Sequence, residues 1–340
     1  MYLWQIRHIP ILRQTFLSVT SRLGLVLLLA GLIGFVARSA IGQGDEKVAT
    51  GKTGRAETGA SPSAGQAAAT AFVAKVHAEL KQHPSLKADV EHTVSIGDQQ
   101  FRATGRYLNS GSKLRLEYTV KPDQGADGSL IEVCDGKVLW SLMTLGGTKP
   151  RVTHRDVQQI KAAIASVKSV PDAELTAELG LGGLSGLLAS LERTMTFDAI
   201  KQEEVEGRSR TTVQGQWKST VASRWKRKPD DPLPVYIPDA VRIIADSTTL
   251  FPERIVYLKR QTEKDKPGYR ALVSFQFKNV ELDATIDEQE FTFEPPQDVV
   301  PEDITRQFLD RITKSREVEA APATPASPTT KAKSATGNSK

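Results

Sequence analysis

The sequence predicts an α+β domain that is mainly β: one long, strongly curved antiparallel sheet with helices against its concave side. Three observations predict it. Apolar residues alternate at spacing two in segment after segment, the period of a half-buried strand. A hairpin signal, Asp135-Gly136, sits between two apolar runs. Two stretches with apolar residues at helical spacing interrupt the strands in the middle of the chain.

A helix comes first, with Thr70 as its cap and Phe72, Val73, Val76 and Leu80 as its apolar stripe; Pro84 stops it. Strands are expected over 87–96, 100–108 and 113–120. In the last of these Leu114, Leu116 and Tyr118 alternate with Lys113, Arg115 and Glu117. The hairpin Ser129-Leu-Ile-Glu-Val-Cys-Asp-Gly-Lys-Val-Leu-Trp-Ser-Leu142 follows. A two-residue turn at Asp135-Gly136 pairs Cys134 with Lys137, Val133 with Val138 and Ile131 with Trp140, so that Ile131, Val133, Val138 and Trp140 share one face. Cys134 falls on the opposite, more polar face beside Glu132 and Lys137. Val157, Ile160, Ile164 and Val167 then mark one helical stripe, and Leu184, Leu187, Leu188, Leu191 and Met195 another. Strands resume over 196–199, 210–218, 240–246, 254–259 and 271–282. Phe275 with Phe277, and Phe291 with Phe293, each point to one face of a strand, and Pro295-Pro296 ends the last ladder.

The net charge of the 340 residues is +5, but its location excludes nucleic acid as a partner. Residues 1–42 carry +4 and residues 311–340 carry +4, so the stretch between them is slightly acidic and offers phosphates no footprint. Arg7, Arg13 and Arg22 precede an apolar run of 15 residues, 23–37, and small residues follow it. A membrane-spanning helix needs about 20 apolar residues, so a cleaved export signal over 1–42 is favoured over a retained anchor. Residues 43–69, rich in Gly, Ala, Ser and Thr, are expected to form a flexible linker, 70–312 the folded domain, and 313–340 a disordered tail.

The order of elements resembles the LolA-like family, periplasmic carriers of lipids and lipoproteins. Two motifs carry the resemblance: the hairpin Leu130-Ile-Glu-Val-Cys-Asp-Gly-Lys-Val-Leu-Trp140 and the closing Phe291-Thr-Phe-Glu-Pro-Pro-Gln-Asp-Val299. It implies an open half-barrel with an apolar inner face under helices, in a periplasmic protein that carries lipid or lipoprotein acyl chains to the outer membrane. Leu114, Leu116, Tyr118, Ile131, Val133, Val138, Trp140, Phe275, Phe277, Phe291 and Phe293 would line the cavity. Phe72, Val76, Leu80, Leu184, Leu188 and Leu191 would form the lid helices. The family's Arg-Pro step before the third strand is absent, since the stretch reads Tyr107-Leu-Asn-Ser-Gly-Ser-Lys-Leu-Arg-Leu-Glu117; Arg106 and Arg115 are the arginines nearby. A membrane-tethered sensor that binds a protein partner could use the same fold.

Catalytic chemistry is not expected. Cys134, the only cysteine, excludes an internal disulfide and a thiolate metal cluster. His77, His83, His92 and His154 are scattered, so no metal or cofactor is expected. Gly180-Leu-Gly-Gly-Leu-Ser-Gly186 lacks the Lys-Ser/Thr of a phosphate loop, and Leu187 breaks a nucleophile elbow at Ser185. Arg224-Trp-Lys-Arg-Lys228 is a basic patch that reads as a solvent-facing loop or a rest for anionic head-groups.

Overall fold

The computed structural model describes residues 63–97, 99–166, 182–226, 228–261 and 268–320. The expected export signal, most of the expected linker and the end of the expected tail lie outside the described residues. So do Val167 and the Gly180-Leu181 start of the glycine-rich motif.

Helix α1 (Ala64–Leu80) opens the domain. It begins six residues before the expected Thr70 cap, because Ser63 and Gln66 form a reciprocal capping box that satisfies two orphan donors. Six strands follow: β1 (Ser85–Ile96), β2 (Gln99–Ser110), β3 (Lys113–Pro122), β4 (Gly128–Cys134), β5 (Val138–Leu145) and β6 (Arg151–Asp156). Helices α2 (Val157–Ala165) and α3 (Gly183–Thr194) stand between them and a second run: β7 (Met195–Val205), β8 (Arg208–Trp217), β9 (Ala240–Asp246), β10 (Arg254–Gln261) and β11 (Gly268–Leu282). A 3-10 turn (Glu288–Phe291), the short β12 (Glu302–Asp303) and helix α4 (Thr305–Ala320) complete the described chain.

All these strands form one open sheet in the order β12-β6-β5-β4-β3-β2-β1-β11-β10-β9-β8-β7. Every pairing is antiparallel except the parallel contact of β12 with β6. Thus two meanders, β1–β6 and β7–β11, are joined side by side through β1 and β11. The main core lies on one face. Val73 and Val76 of α1 and Leu184, Leu187, Leu188 and Leu191 of α3 bury there against Val90, Phe101, Tyr118, Leu130, Phe197, Ile243 and Ile255 of the sheet. This is the inner face of a half-barrel, and α1 and α3 are its cover.

Three expectations are corrected here. In the β4–β5 hairpin Cys134 pairs with Leu139 and Val133 with Trp140. The two-residue loop is Gly136-Lys137, because Asp135 flanks the turn and its carboxylate accepts from Lys137 N and Val138 N at 2.7 and 2.8 Å. Moving the loop by one position shifts the register by two, so Ile131, Val133, Val138 and Trp140 keep a common face. Secondly, most of α2 packs away from the main core: Ile160 and Ile164 pack with Phe308 and Ile312 of α4 in a separate cluster, and its first residue, Val157, lies against Cys134 and Leu139. Thirdly, Phe291 and Phe293 are not in a strand. Phe291 ends the 3-10 turn and Phe293 lies in the irregular segment after it.

Candidate functional site

The inner face and its two covering helices form the largest apolar cluster among the described residues. Tyr118 is opposite Leu130, and Leu130 is opposite Met143. Leu114, Leu116, Phe275 and Phe277 pack at the margin of the same core. Phe277 meets Tyr107 and Phe251 edge-on, with ring centroids 5.8 and 5.7 Å away. Of the lid residues, Val76, Leu184, Leu188 and Leu191 are buried in this core, and Phe72 and Leu80 flank it. The structure therefore brings together Leu114, Leu116, Tyr118, Phe275, Phe277 and all six lid residues.

It does not bring the others there. Successive side chains of β4 alternate between faces, and Leu130 faces the helices, so Ile131 and Val133 face away, with Val138 and Trp140 beside them. Trp140 stacks on Phe293 at 5.6 Å and leans on His154 at 4.7 Å. The 284–299 segment crosses this outer face as a strap. Arg115 donates to the Glu290 carbonyl at 2.8 Å, and Arg106 holds Glu117 at 2.7 Å and Glu290 at 3.1 Å. Lys113 adds an ion pair to Glu288. Arg106 and Arg115 thus anchor the strap on the outside and contribute nothing to the inner face. Phe291, buried in the strap, lies outside the inner-face core as well.

The polar groups of the site escaped the sequence reading. His77 of α1 reaches between two residues of α3. Its Nδ1 lies 2.6 Å from Glu192 Oε1 and its Nε2 lies 3.1 Å from Ser185 Oγ. The ring thus bridges a carboxylate on one side and a hydroxyl on the other. The three side chains clamp the covering helices to one another. Ser185 and Glu192 are seven residues apart, two turns along one helix face, a spacing that could have flagged half of the clamp. On the sheet itself, burial pushes the Tyr107 hydroxyl up to about 12, although the Leu184 backbone N–H donates to it; Tyr118 is raised by burial too. Both phenols are therefore neutral and amphipathic. Cys134 is buried against Leu139 and Val157, and burial raises its thiol above the ordinary value, so it is an inert thiol.

A pocket of about 180 Å³ opens where Cys134 and Leu139 meet Leu114, Lys161 and Gly183. That is small beside the roughly 300–1,000 Å³ of ordinary ligand sites. Val73 and Val76 of α1 and Leu187 and Leu188 of α3 pack directly on the inner face, so a long apolar ligand lying along it there would take their place. Among the described residues no three metal-ligating side chains come together, and no helix is long and apolar enough to cross a membrane. In the basic patch, Trp225 packs edge-on against Trp217 at 5.0 Å, and Lys228 is exposed.

The chain is an open half-barrel under two helices. No family model matches it, and no curated protein does. Solved structures with some likeness include lipoprotein LppX of Mycobacterium tuberculosis, 11% identical with a TM-score of 0.35 over 65% of this chain and 98% of that one. LprF of Mycobacterium bovis is 11% identical with a TM-score of 0.32, covering 67% of this chain and 97% of that one. A domain from Vibrio parahaemolyticus described as a candidate outer membrane lipoprotein-sorting protein is 12% identical with a TM-score of 0.26, covering 66% and 97%. The half-barrel of this chain rests on its own strand order and on the helices packed over one face.

Proposed function

We propose that this protein is an exported, non-enzymatic carrier or chaperone of lipid or lipoprotein acyl chains, working in the periplasm toward the outer membrane. The observation that carries the reading is the pairing of a broad apolar inner face with two helices, α1 and α3, clamped to each other through His77, Ser185 and Glu192. Helices joined in this way can lift together and leave a continuous apolar trough. Each acyl CH₂ buried there stabilises the complex by about 0.8 kcal/mol, so binding needs no catalytic group. Leu114, Leu116, Tyr118, Phe275 and Phe277 would line the trough. The N-terminal apolar segment supports export, and the slightly acidic body gives no reason to expect nucleic acid.

Mass spectrometry of organic extracts tests this, on protein purified after export in a cell with two membranes. Stoichiometric phospholipid or acylated peptide is the expected result. Protein that is empty and takes up no added lipid would end the carrier reading; an empty protein held at the membrane by its N-terminal segment would point to the sensor that binds a protein partner. Ser185, His77 and Glu192 also follow the nucleophile–base–carboxylate order of acyl-transfer enzymes. A fluorophosphonate probe is expected to leave Ser185 unlabelled, and labelling there would replace the carrier with an acyl hydrolase.

A further inference from the structure

At the centre of the inner face, one side chain is left without a polar partner. His92 sits midway along β1, opposite Ala103 of β2 and Phe275 of β11. It is 0% exposed, and neither of its ring nitrogens has a hydrogen-bond partner among the described residues. Aromatic rings enclose it: Phe275 stacked at 4.2 Å, Phe101 edge-on at 5.9 Å and Tyr118 tilted at 5.9 Å. Desolvation drives its pKa down to about 3, so near pH 7 the ring is uncharged and presents one N–H donor and one acceptor. A leucine or phenylalanine here would spare the fold two unpaired polar atoms, which are a standing cost to stability. Among the described residues no group pairs with the ring, and the surface it belongs to is the one assigned to the cargo.

We propose that His92 is the polar selector of the cargo trough, giving a hydrogen bond to a neutral oxygen-bearing group, an ester or amide, of an acyl lipid lying along the inner face. The inference rests on the carrier reading and names the class of ligand it takes. A plain hydrocarbon chain gains nothing from the ring. An ionised fatty acid would bring a charge into a site whose ring cannot neutralise it, and a buried unpaired charge is strongly disfavoured. A neutral ester or amide supplies the acceptor the N–H lacks and buries no charge. The aromatic rings fix the imidazole in place, so its hydrogen bond is oriented before cargo arrives.

Binding of three matched probes, hexadecane, methyl palmitate and palmitate, to the full exported protein tests this, with wild type compared with His92→Leu. The wild type is expected to hold methyl palmitate about three- to tenfold more tightly than hexadecane, the range of one net hydrogen bond, and palmitate most weakly. His92→Leu is expected to lose the advantage of the ester while binding hexadecane as before, which also shows that the trough is intact. His92→Phe, which keeps a planar ring between the same aromatic neighbours, repeats the comparison should the leucine variant fail to fold. An ester preference that survives both substitutions would make His92 a core ring and overturn the proposal. A wild type that binds none of the three probes would instead remove the carrier reading beneath it.

Discussion

Lowering the pH from 7 to 5 is expected to remove about 2 kcal/mol of folding stability through His92 alone, and His92→Leu is expected to abolish that loss. The folded ring has a pKa near 3 against an ordinary value of 6.5. Between those two values the unfolded chain binds a proton that the folded chain refuses. Stability therefore falls as the pH drops through 6.5 and levels off only near 3, at about 1.4 kcal/mol per pH unit in between. The carboxylates of Glu91 and Glu117 are held below their ordinary value by Lys278 and Arg106 respectively, so what they contribute is lost mainly below pH 5. The remaining histidines are common to both proteins and cancel in the comparison. Urea midpoints at pH 7, 6 and 5 provide the check: parallel declines in wild type and His92→Leu would show that the folded ring titrates freely.

Phe197→Ala should cost about 3–5 kcal/mol, the range for a fully buried aromatic truncated to alanine. Phe197 is 0% exposed and lies where β7 bulges, the register to β8 slipping between Phe197 and Ile200. Its ring lies over Gly215 of β8 so closely that a Cβ there would come within 2.8 Å of it. Glycine at 215 is therefore part of how the ring seats. β7 is the edge of the sheet and runs on directly from α3. The lost ring would leave a void in the core that also holds Val73 and Leu188 of the covering helices. Thermal or urea unfolding measures the effect, and a loss below about 1 kcal/mol would mean that the core collapses around the site.

Much of the sheet was legible because alternation is a local signal: Leu114-Leu116-Tyr118 and Phe275-Phe277 fall on the face their spacing implies. What alternation cannot give is which face meets the helices when both are apolar. In β4 and β5, Leu130, Leu139 and Met143 line one side and Ile131, Val133 and Trp140 the other. Only the strap that crosses the outer side settles the matter. The strap was misread because Phe291-Thr-Phe293 has the period of a strand while ion pairs from Arg106 and Lys113 hold it outside the ladder. The start of α1 was hidden by Ala- and Gly-rich composition that reads as linker, although Ser63 and Gln66 carry a capping signature. His77 and His92 looked like scattered histidines, since the partners of the first lie more than a hundred residues away and the burial of the second depends on three other strands.

The junction of β1 with β11 has a consequence for how the chain assembles. Leu86 pairs with Leu282 and Val94 with Val273, so the ladder at the middle of the sheet joins segments almost two hundred residues apart in sequence. Apart from the short contact of β12 with β6, the other ladders join strands that are neighbours in sequence. Closing a long loop costs entropy before any contact rewards it, so the two meanders should form first and the central seam last. Pulse-labelled hydrogen exchange would see this as late protection of the β1 and β11 amides, and early protection there would reverse the order. Until the seam closes each meander exposes an unpaired strand, and at high concentration the half of a second molecule fits that edge as well as its own.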